Sequence, residues 1–163
     1  MGLFEKIGQK FSSRKIVYMP ITGKVITLSE IKDGVFSEGI LGKGVGIIPE
    51  EGIVYAPFDG EVILIADTKH AIGLKSTHGI ELIIHVGMDT VEMNGKGFSQ
   101  QVKVGDSIKC GQQIMTFSLE EISKSGYATT TAVIVTNSDK FKTIEVLLEG
   151  DQEKQKELLS LCI

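Results

Sequence analysis

Tryptophan is absent from this sequence, cysteine occurs twice and proline three times, and the 17 Lys and Arg residues fall short of the 21 Asp and Glu. The acidic excess leaves a net charge of −4 and a pI near 5.4, so no basic stripe exists to track a phosphate backbone, and nucleic acid is excluded as a partner. Cys110 and Cys162 lie far apart and form no CxxC pair, which excludes a disulfide-stapled scaffold. No apolar run approaches the roughly 18 residues that a membrane-spanning helix requires. The start also lacks the n-region, h-region and cleavage site of a secretory signal. A cytoplasmic address with both thiols reduced is the expectation, and Met1 points to a free protein rather than a module cut from a longer one.

What is present is a globular composition: 163 residues, 42% hydrophobic and 23% charged, enough for one core and too short for two comfortable domains. Nineteen glycines punctuate short Val/Ile-rich runs, the pattern of an all-β domain with many tight turns. Helical periodicity is confined to the termini and to residues 119–125. Residues 1–15 read as an N-terminal segment in which Leu3, Phe4, Ile7 and Phe11 fall at amphipathic spacing. Residues 16–150 read as the domain. Residues 151–163 read as a tail with a polar start and an apolar end, where a short helix is expected and no closing strand is legible.

The chain repeats itself. From Ile16 it runs IVYMPITGKVITL and, thirty-seven residues later, IVYAPFDGEVILI. Both copies are strand, Tyr-x-Pro, turn, Gly, strand, so two related strand-turn-strand units are predicted. Pro20 and Pro57 break the ladder, and Gly23 and Gly60 are expected to supply the positive φ that a tight reversal needs. Between the copies, the GKGVG run at residues 42–46 is followed by no GK[ST] and no helix, and reads as a turn into a buried strand rather than a phosphate loop. Asp33 beside Gly34 is turn chemistry of the same kind. Residues 102–114 follow a V-x-x-GD-x-I-x-x-GQ rhythm similar to the hammerhead hairpins of biotinyl and lipoyl carriers, but no lysine occupies the tip and no tethered cofactor is implied.

The chemistry is concentrated in TKHAIGLKSTHGIELIIHVGMD, residues 68–89. Ser76 to Gly79 reads as a four-residue hairpin loop, which pairs Lys75 with Ile80, Ile72 with Ile83, and His70 with His85. Opposed Cβ atoms are about 4.5–5.5 Å apart, so the two imidazoles meet, with Ile72 and Ile83 on their face. His78 stays solvated at the turn. Three roles remain open for the pair: zinc ligation, with only Asp89 and Glu81 as nearby oxygen donors; nucleophilic attack on phosphorus; or none. In the second role Nδ1–H of His85 donates to the Gly87 carbonyl and leaves Nε2 free. His70 then donates to the phosphoryl oxygens, and the Thr68 hydroxyl orients His70.

The text GIELIIHVGMDTVEMNGKGF, preceded by VYAPFDGEV and followed by VKVGDSIKCGQ, resembles enzyme IIA of the glucose-type phosphotransferase system over residues 16–139. The resemblance implies a β-sandwich or barrel-sandwich hybrid with duplicated hairpins. It implies phosphorylation of the HVGxDTV histidine, here His85, with His70 and Thr68 of the T-x-H-A motif as its support. It assigns Asp33 and Asp89 to docking of the phosphocarrier HPr, and Phe36, Ile40, Leu41, Ile83 and Val91 to an apolar contact surface. The implied partners are HPr and an enzyme IIB/IIC sugar permease, through which membrane contact is peripheral. No cofactor is required, though a zinc ion bridged by His70, His85 and a partner's carboxylate fits a regulatory complex.

Two rival readings are weighed against the carrier. A zinc peptidase of the lysostaphin type needs H-x-x-x-D and H-x-H motifs. Here Leu74 follows His70 by four positions and Gly87 follows His85 by two, so both ligands are missing. A regulatory module that binds transporters or kinases according to its phosphorylation state uses the same apolar face and is compatible with carriage.

Overall fold

A computed structural model of the chain describes residues 14–31 and 33–163, and the amphipathic reading of residues 1–11 falls outside them. In chain order the strands are β1 (Arg14–Tyr18), β2 (Gly23–Thr27), β3 (Lys43–Pro49), β4 (Ile53–Tyr55), β5 (Gly60–Ile65), β6 (Ala71–Ser76), β7 (Glu81–His85), β8 (Phe98–Gln100), β9 (Ser107–Ile108) and β10 (Gln113–Phe117). The helix α1 (Leu119–Lys124) follows, then β11 (Thr131–Val135), β12 (Thr143–Val146), β13 (Gly150–Gln152) and β14 (Glu157–Cys162). Helix α1 falls where expected. Ser118 caps it by accepting from the Glu121 N–H at 3.1 Å, Glu120 and Glu121 occupy its first turn, and Ile122 is its buried anchor.

The strands form three open sheets, in the orders β13-β2-β3-β11-β7-β6-β5-β9, β1-β14-β12 and β4-β10-β8. The all-β expectation is met, and the repeat is deeper than its two similar stretches. Strands β1, β2, β3, β11, β12, β13 and β14 stand in the same relations to one another as β4, β5, β6, β7, β8, β9 and β10. The halves meet at β7 and β11, where His85 opposes Ala132 and Leu82 opposes Val135. The two Tyr-x-Pro turns bond reciprocally: the Tyr18 N–H donates to Pro57 O at 2.9 Å and the Tyr55 N–H to Pro20 O at 2.8 Å. Each proline, having no N–H, serves purely as an acceptor at the junction. Gly23 and Gly60 do not take the expected positive φ: they open β2 and β5, and glycine is needed there because a Cβ would press on Ile48 O at 2.3 Å and on Lys75 O at 2.0 Å.

The β6–β7 hairpin differs from its expected register by one position. Lys75 opposes Glu81, Leu74 opposes Leu82, Ile72 opposes Ile84, and Ala71, not His70, opposes His85. The loop has five residues because Ile80 folds into it. The Ser76 N–H donates to Ile80 O at 2.8 Å while Ser76 Oγ accepts from the Ile80 N–H at 2.9 Å, and the Ile80 side chain is buried. The register follows from packing: it sends Ile72, Leu74, Leu82 and Ile84 together into the main core. Each such side chain is worth roughly 1.5–3 kcal/mol on burial, so a slip would forfeit several kcal/mol. Ile72 therefore lies in the interior, not beside the histidines, while Ile83 and His85 occupy the opposite face.

That opposite face carries a second, smaller cluster of Ile31, Phe36, Ala132 and Ile134, with Ile83 and Met88 packed on it. The GKGVG run leads from a turn into strand as expected, with Gly42 just before β3, and Gly46 makes room for this layer: a Cβ there would lie 2.8 Å from Ile26 Cγ1 and 2.9 Å from Ile31 Cδ1. The loop carrying Asp33 and Phe36 is thereby seated directly on β3.

The C-terminal segment is strand where a helix was expected. β14 lies between β1 and β12, and Leu158, Leu159, Ser160 and Leu161 are all buried. A run covered on both sides has no period by which sequence alone separates strand from helix.

Candidate phosphoryl-transfer site

His85 ends β7, and the backbone beyond it turns sharply. Gly87 takes φ +77, and a Cβ on it would lie 2.4 Å from Thr90 Cγ2 and 3.0 Å from Ala128 O, so only glycine fits. The buried Thr90 hydroxyl donates to Val86 O at 2.5 Å and ties the turn to the short 3-10 segment Thr90–Met93. This turn puts Gly87 O 2.9 Å from His85 Nδ1. A carbonyl only accepts, so Nδ1 holds the proton of the neutral ring and Nε2 keeps its lone pair.

His70 reaches His85 from the end of β6 rather than from across the ladder. Lys69 adopts φ +61, and the chain bends there so that the His70 ring swings round the strand end. The ring centroids lie 4.7 Å apart at an interplanar angle of 83°. The Thr68 hydroxyl is 2.6 Å from His70 Nδ1, and His70 O accepts from the Val86 N–H at 2.8 Å. Phe36 stacks obliquely on His85 at 5.0 Å, and Phe98 lies edge-on to His70 at 6.4 Å.

Burial acts on both rings. It lowers His70 to about 4, with the neighbouring His85 adding to the effect, so His70 is neutral at physiological pH. Burial also lowers His85, while the Gly87 carbonyl and the carboxylates of Asp33 and Asp89 pull it partly back. Burial works against ionisation of Asp33 too. Its carboxylate is nevertheless held below the ordinary value by N–H donors from Phe36, Ser37 and Val35, at 3.1, 3.1 and 3.2 Å.

The shift of His70 carries a stability consequence. Its folded value lies below the ordinary 6.5 of the unfolded chain, so between these values the unfolded state binds a proton that the native state refuses. The contribution is complete above pH 6.5 and lost as pH falls towards 4. Urea midpoints measured at about pH 7.5 and about pH 4.5 are expected to reveal a loss of up to about 3 kcal/mol, flattened in His70→Gln. An unchanged slope in that variant would refute the assignment.

The remaining predicted residues divide by position. Ile40, Leu41 and Val91 are 67%, 43% and 48% exposed; with Val35 at 45% they are the exposed apolar side chains, or rim, of the loop that carries Phe36 and the loop that follows His85. Asp89 is exposed beside His85, and Asp33 is half-buried at the base of the rim loop. Ile83 is the exception, lying half-buried in the second cluster beneath Phe36. Sequence reasoning missed Phe98, Val35 and Thr90, although Thr90 stands inside the HVGxDTV motif and Phe98 ends the stretch GIELIIHVGMDTVEMNGKGF.

Among the described residues, no group of three or more His, Cys, Asp or Glu side chains converges so as to hold a metal ion. Two imidazoles leave a tetrahedral zinc ion short of ligands, so an ion at this pair would need a partner's carboxylate. The duplicated half offers no second centre: Val135 stands where His85 does, and Gly42 precedes β3 as His70 precedes β6.

Comparison with known proteins places this geometry. A family model described as phosphoenolpyruvate-dependent sugar phosphotransferase system, EIIA 1, matches residues 15–141. The beta-glucoside-specific EIIBCA component of Bacillus subtilis is 46% identical over 149 residues, covering 91% of this chain and 24% of that protein. The glucose-specific EIIA component of Staphylococcus epidermidis is 42% identical over 130 residues, 80% of this chain and 78% of that one. The chain thus spans about a quarter of the first relative and most of the second. Among solved structures, the glucose permease IIA of Mycoplasma capricolum superposes with a TM-score of 0.86 at 31% identity, covering 92% of this chain and 97% of that one.

Proposed function

The chain belongs to the EIIA 1 family of the phosphoenolpyruvate-dependent sugar phosphotransferase system, and from that premise we propose that it carries a phosphoryl group on His85 Nε2, taken from phospho-HPr and passed to a cysteine of an enzyme IIB domain during sugar uptake. The observation that carries this reading is the fixed proton on His85. With Nδ1–H committed to Gly87 O, the Nε2 lone pair faces outward as a nucleophile without any base having to remove a proton.

In the first step the Nε2 lone pair attacks phosphorus in line, the phosphorus–nitrogen bond to the HPr histidine breaks, and that imidazole leaves with the electron pair. In the second, a cysteine thiolate attacks the same phosphorus, and His85 returns to its neutral form with Nδ1 still protonated. Little covalent work is required of the protein, so positioning and charge stabilisation dominate. With the Thr68 hydroxyl donating to Nδ1, neutral His70 presents Nε2–H to the phosphoryl oxygens. A hydrogen bond to such a charged group is worth roughly 1.5–3 kcal/mol.

Donor and acceptor proteins must approach the same nitrogen in turn. The rim of Val35, Ile40, Leu41 and Val91 around the Phe36–His85 pair supplies one apolar surface for both, bordered by Asp33 and Asp89. The IIB and IIC domains named in the Bacillus subtilis relative support a sugar permease as the acceptor. Transfer from HPr places the chain at the cytoplasmic side of that permease.

The same rim favours a regulatory reading alongside carriage. A phosphoryl group brings roughly two negative charges into the middle of an apolar contact, so a transporter or kinase docked there in the unmodified state would be released on phosphorylation. Zinc shared with a partner's carboxylate belongs to that unmodified complex.

The carrier reading is tested by incubating the protein with phosphoenolpyruvate, enzyme I and HPr and measuring intact mass. The expected result is the gain of one phosphoryl group, lost again on mild acidification. No gain with active enzyme I and HPr would sink it.

A further inference from the structure

We propose that Gln100 is a positioning residue for His70, acting through the main chain of Lys69. Among the described residues, four non-glycine residues have positive φ: Lys69, Asp89, Asn94 and Gln155. The first three flank the histidine pair, so backbone strain is concentrated at this site. A left-handed conformation is unfavourable for a lysine and persists only where surrounding structure holds it. Lys69 is exposed, so its side chain is not buried into place.

What holds it is the peptide on either side. The Lys69 N–H donates to Ala66 O at 2.8 Å, closing the β5–β6 turn. Its carbonyl accepts from Gln100 Nε2 at 3.0 Å. Gln100 stands at the end of β8 opposite Met115, a fully buried residue of β10, so the amide projects from a firm base. Gln100 Oε1 is buried and, among the described residues, has no hydrogen-bond partner, an arrangement that ordinary surfaces avoid. The Lys69 carbonyl, an acceptor, fixes the sense of the amide and with it the place of that oxygen. Rotated by half a turn, it would face the Lys69 carbonyl, acceptor against acceptor.

The consequence reaches the chemistry through one peptide unit. The plane between Lys69 and His70 carries the bonded carbonyl on one side and the His70 backbone on the other. Freed from Gln100, Lys69 can rotate about its N–Cα bond towards negative φ, a rotation that swings its carbonyl and the peptide plane attached to it and turns the imidazole away from Thr68 and His85. Thr68 is joined to His70 across this same residue, so the 2.6 Å contact is lost as well. The inference rests on the reading of His70 as the phosphoryl group's neighbour.

Gln100→Ala, Lys69→Gly and the double variant test it, with Gln100→Glu as a near-isosteric form that is no donor when ionised and serves if the alanine variant folds poorly. The first readout is the ring 15N spectrum of His70 in unphosphorylated protein. The second is the rate of onward transfer from the phosphorylated protein to a IIB cysteine. Gln100→Ala and Gln100→Glu are expected to mix the two ring tautomers of His70 and slow onward transfer about 10-fold. Glycine adopts the left-handed conformation without penalty, so Lys69→Gly in the Gln100→Ala background is expected to restore most of both. Wild-type spectra and rates in both Gln100 variants, or no recovery in the double variant, would overturn the proposal. The spectrum is read without phosphate, so a failure of the carrier reading itself leaves this test intact.

Discussion

His85→Ala is expected to take up no phosphoryl group from phospho-HPr, whereas His70→Ala accepts it and then passes it on about 10- to 100-fold more slowly than the wild-type protein. The split follows from the roles the geometry supports. Only His85 has a ring nitrogen whose lone pair is fixed outward, because its other nitrogen is bound to Gly87 O at 2.9 Å. On the proposed reading His70 would touch the group from the side and contribute a hydrogen bond, so its loss would weaken a transition state without removing the nucleophile. His85 is half-buried and His70, though buried, is joined to the main core through Phe98 alone among its ring contacts, so both variants are expected to fold. A time course of radiolabel transfer, first from phospho-HPr and then to a IIB domain, separates the two steps. Labelling of His85→Ala at the wild-type rate would end the assignment, and so would a His70→Ala protein that cannot be labelled at all.

Gly87→Ala is expected to cost roughly 2–4 kcal/mol of stability and, in whatever fraction folds, to impair labelling. Two penalties add at this position. The residue must take φ +77, and its Cβ would press to 2.4 Å from Thr90 Cγ2 with Ala128 O only 3.0 Å away. Neither neighbour can retreat easily, since Thr90 is buried and bonded to Val86 O, and Ala128 O accepts from the Met88 N–H at 3.1 Å. Relief therefore requires the turn to open, which carries the Gly87 carbonyl away from His85 Nδ1. The ring then loses its fixed tautomer, and part of the population presents an N–H where the nucleophile should be. Denaturant midpoints report the first effect and the labelling rate the second. A variant with wild-type stability and labelling would contradict the fit described for this turn.

The β6–β7 hairpin illustrates how far local reading goes. Ser, Thr, His and Gly in succession mark a turn, and two flanking apolar runs mark its strands, so the hairpin and its histidines were legible. The register was not, because a four-residue loop and a five-residue loop fit the same text. The choice fell to Ile80, whose side chain enters the core, and to Ser76, whose hydroxyl bridges the loop. On alternation alone that displacement would separate the histidines, yet the rings remain 4.7 Å apart. The bend at Lys69 compensates, and no propensity rule places a lysine in a left-handed conformation.

Residues 157–162 mark the other limit. Leu-Leu-Ser-Leu is apolar in either secondary structure, and what makes it strand is the presence of β1 on one side and β12 on the other. Phe98 and Gln100 belong to the same category: adjacent in sequence to nothing catalytic, they are brought to His70 by the pairing of β8 with β10.

By itself, the amino-acid sequence determined the all-β class, the doubled Tyr-x-Pro unit, the identity of the two histidines and the proton on His85, because each depends on residue type, spacing or a contact two residues away. Only the tertiary structure decided which face each strand buries, how His70 arrives beside His85, and which loop roofs them. Those outcomes depend on the competition among distant side chains for one interior, and a contact between residues far apart in the chain has no local signature until the core has closed.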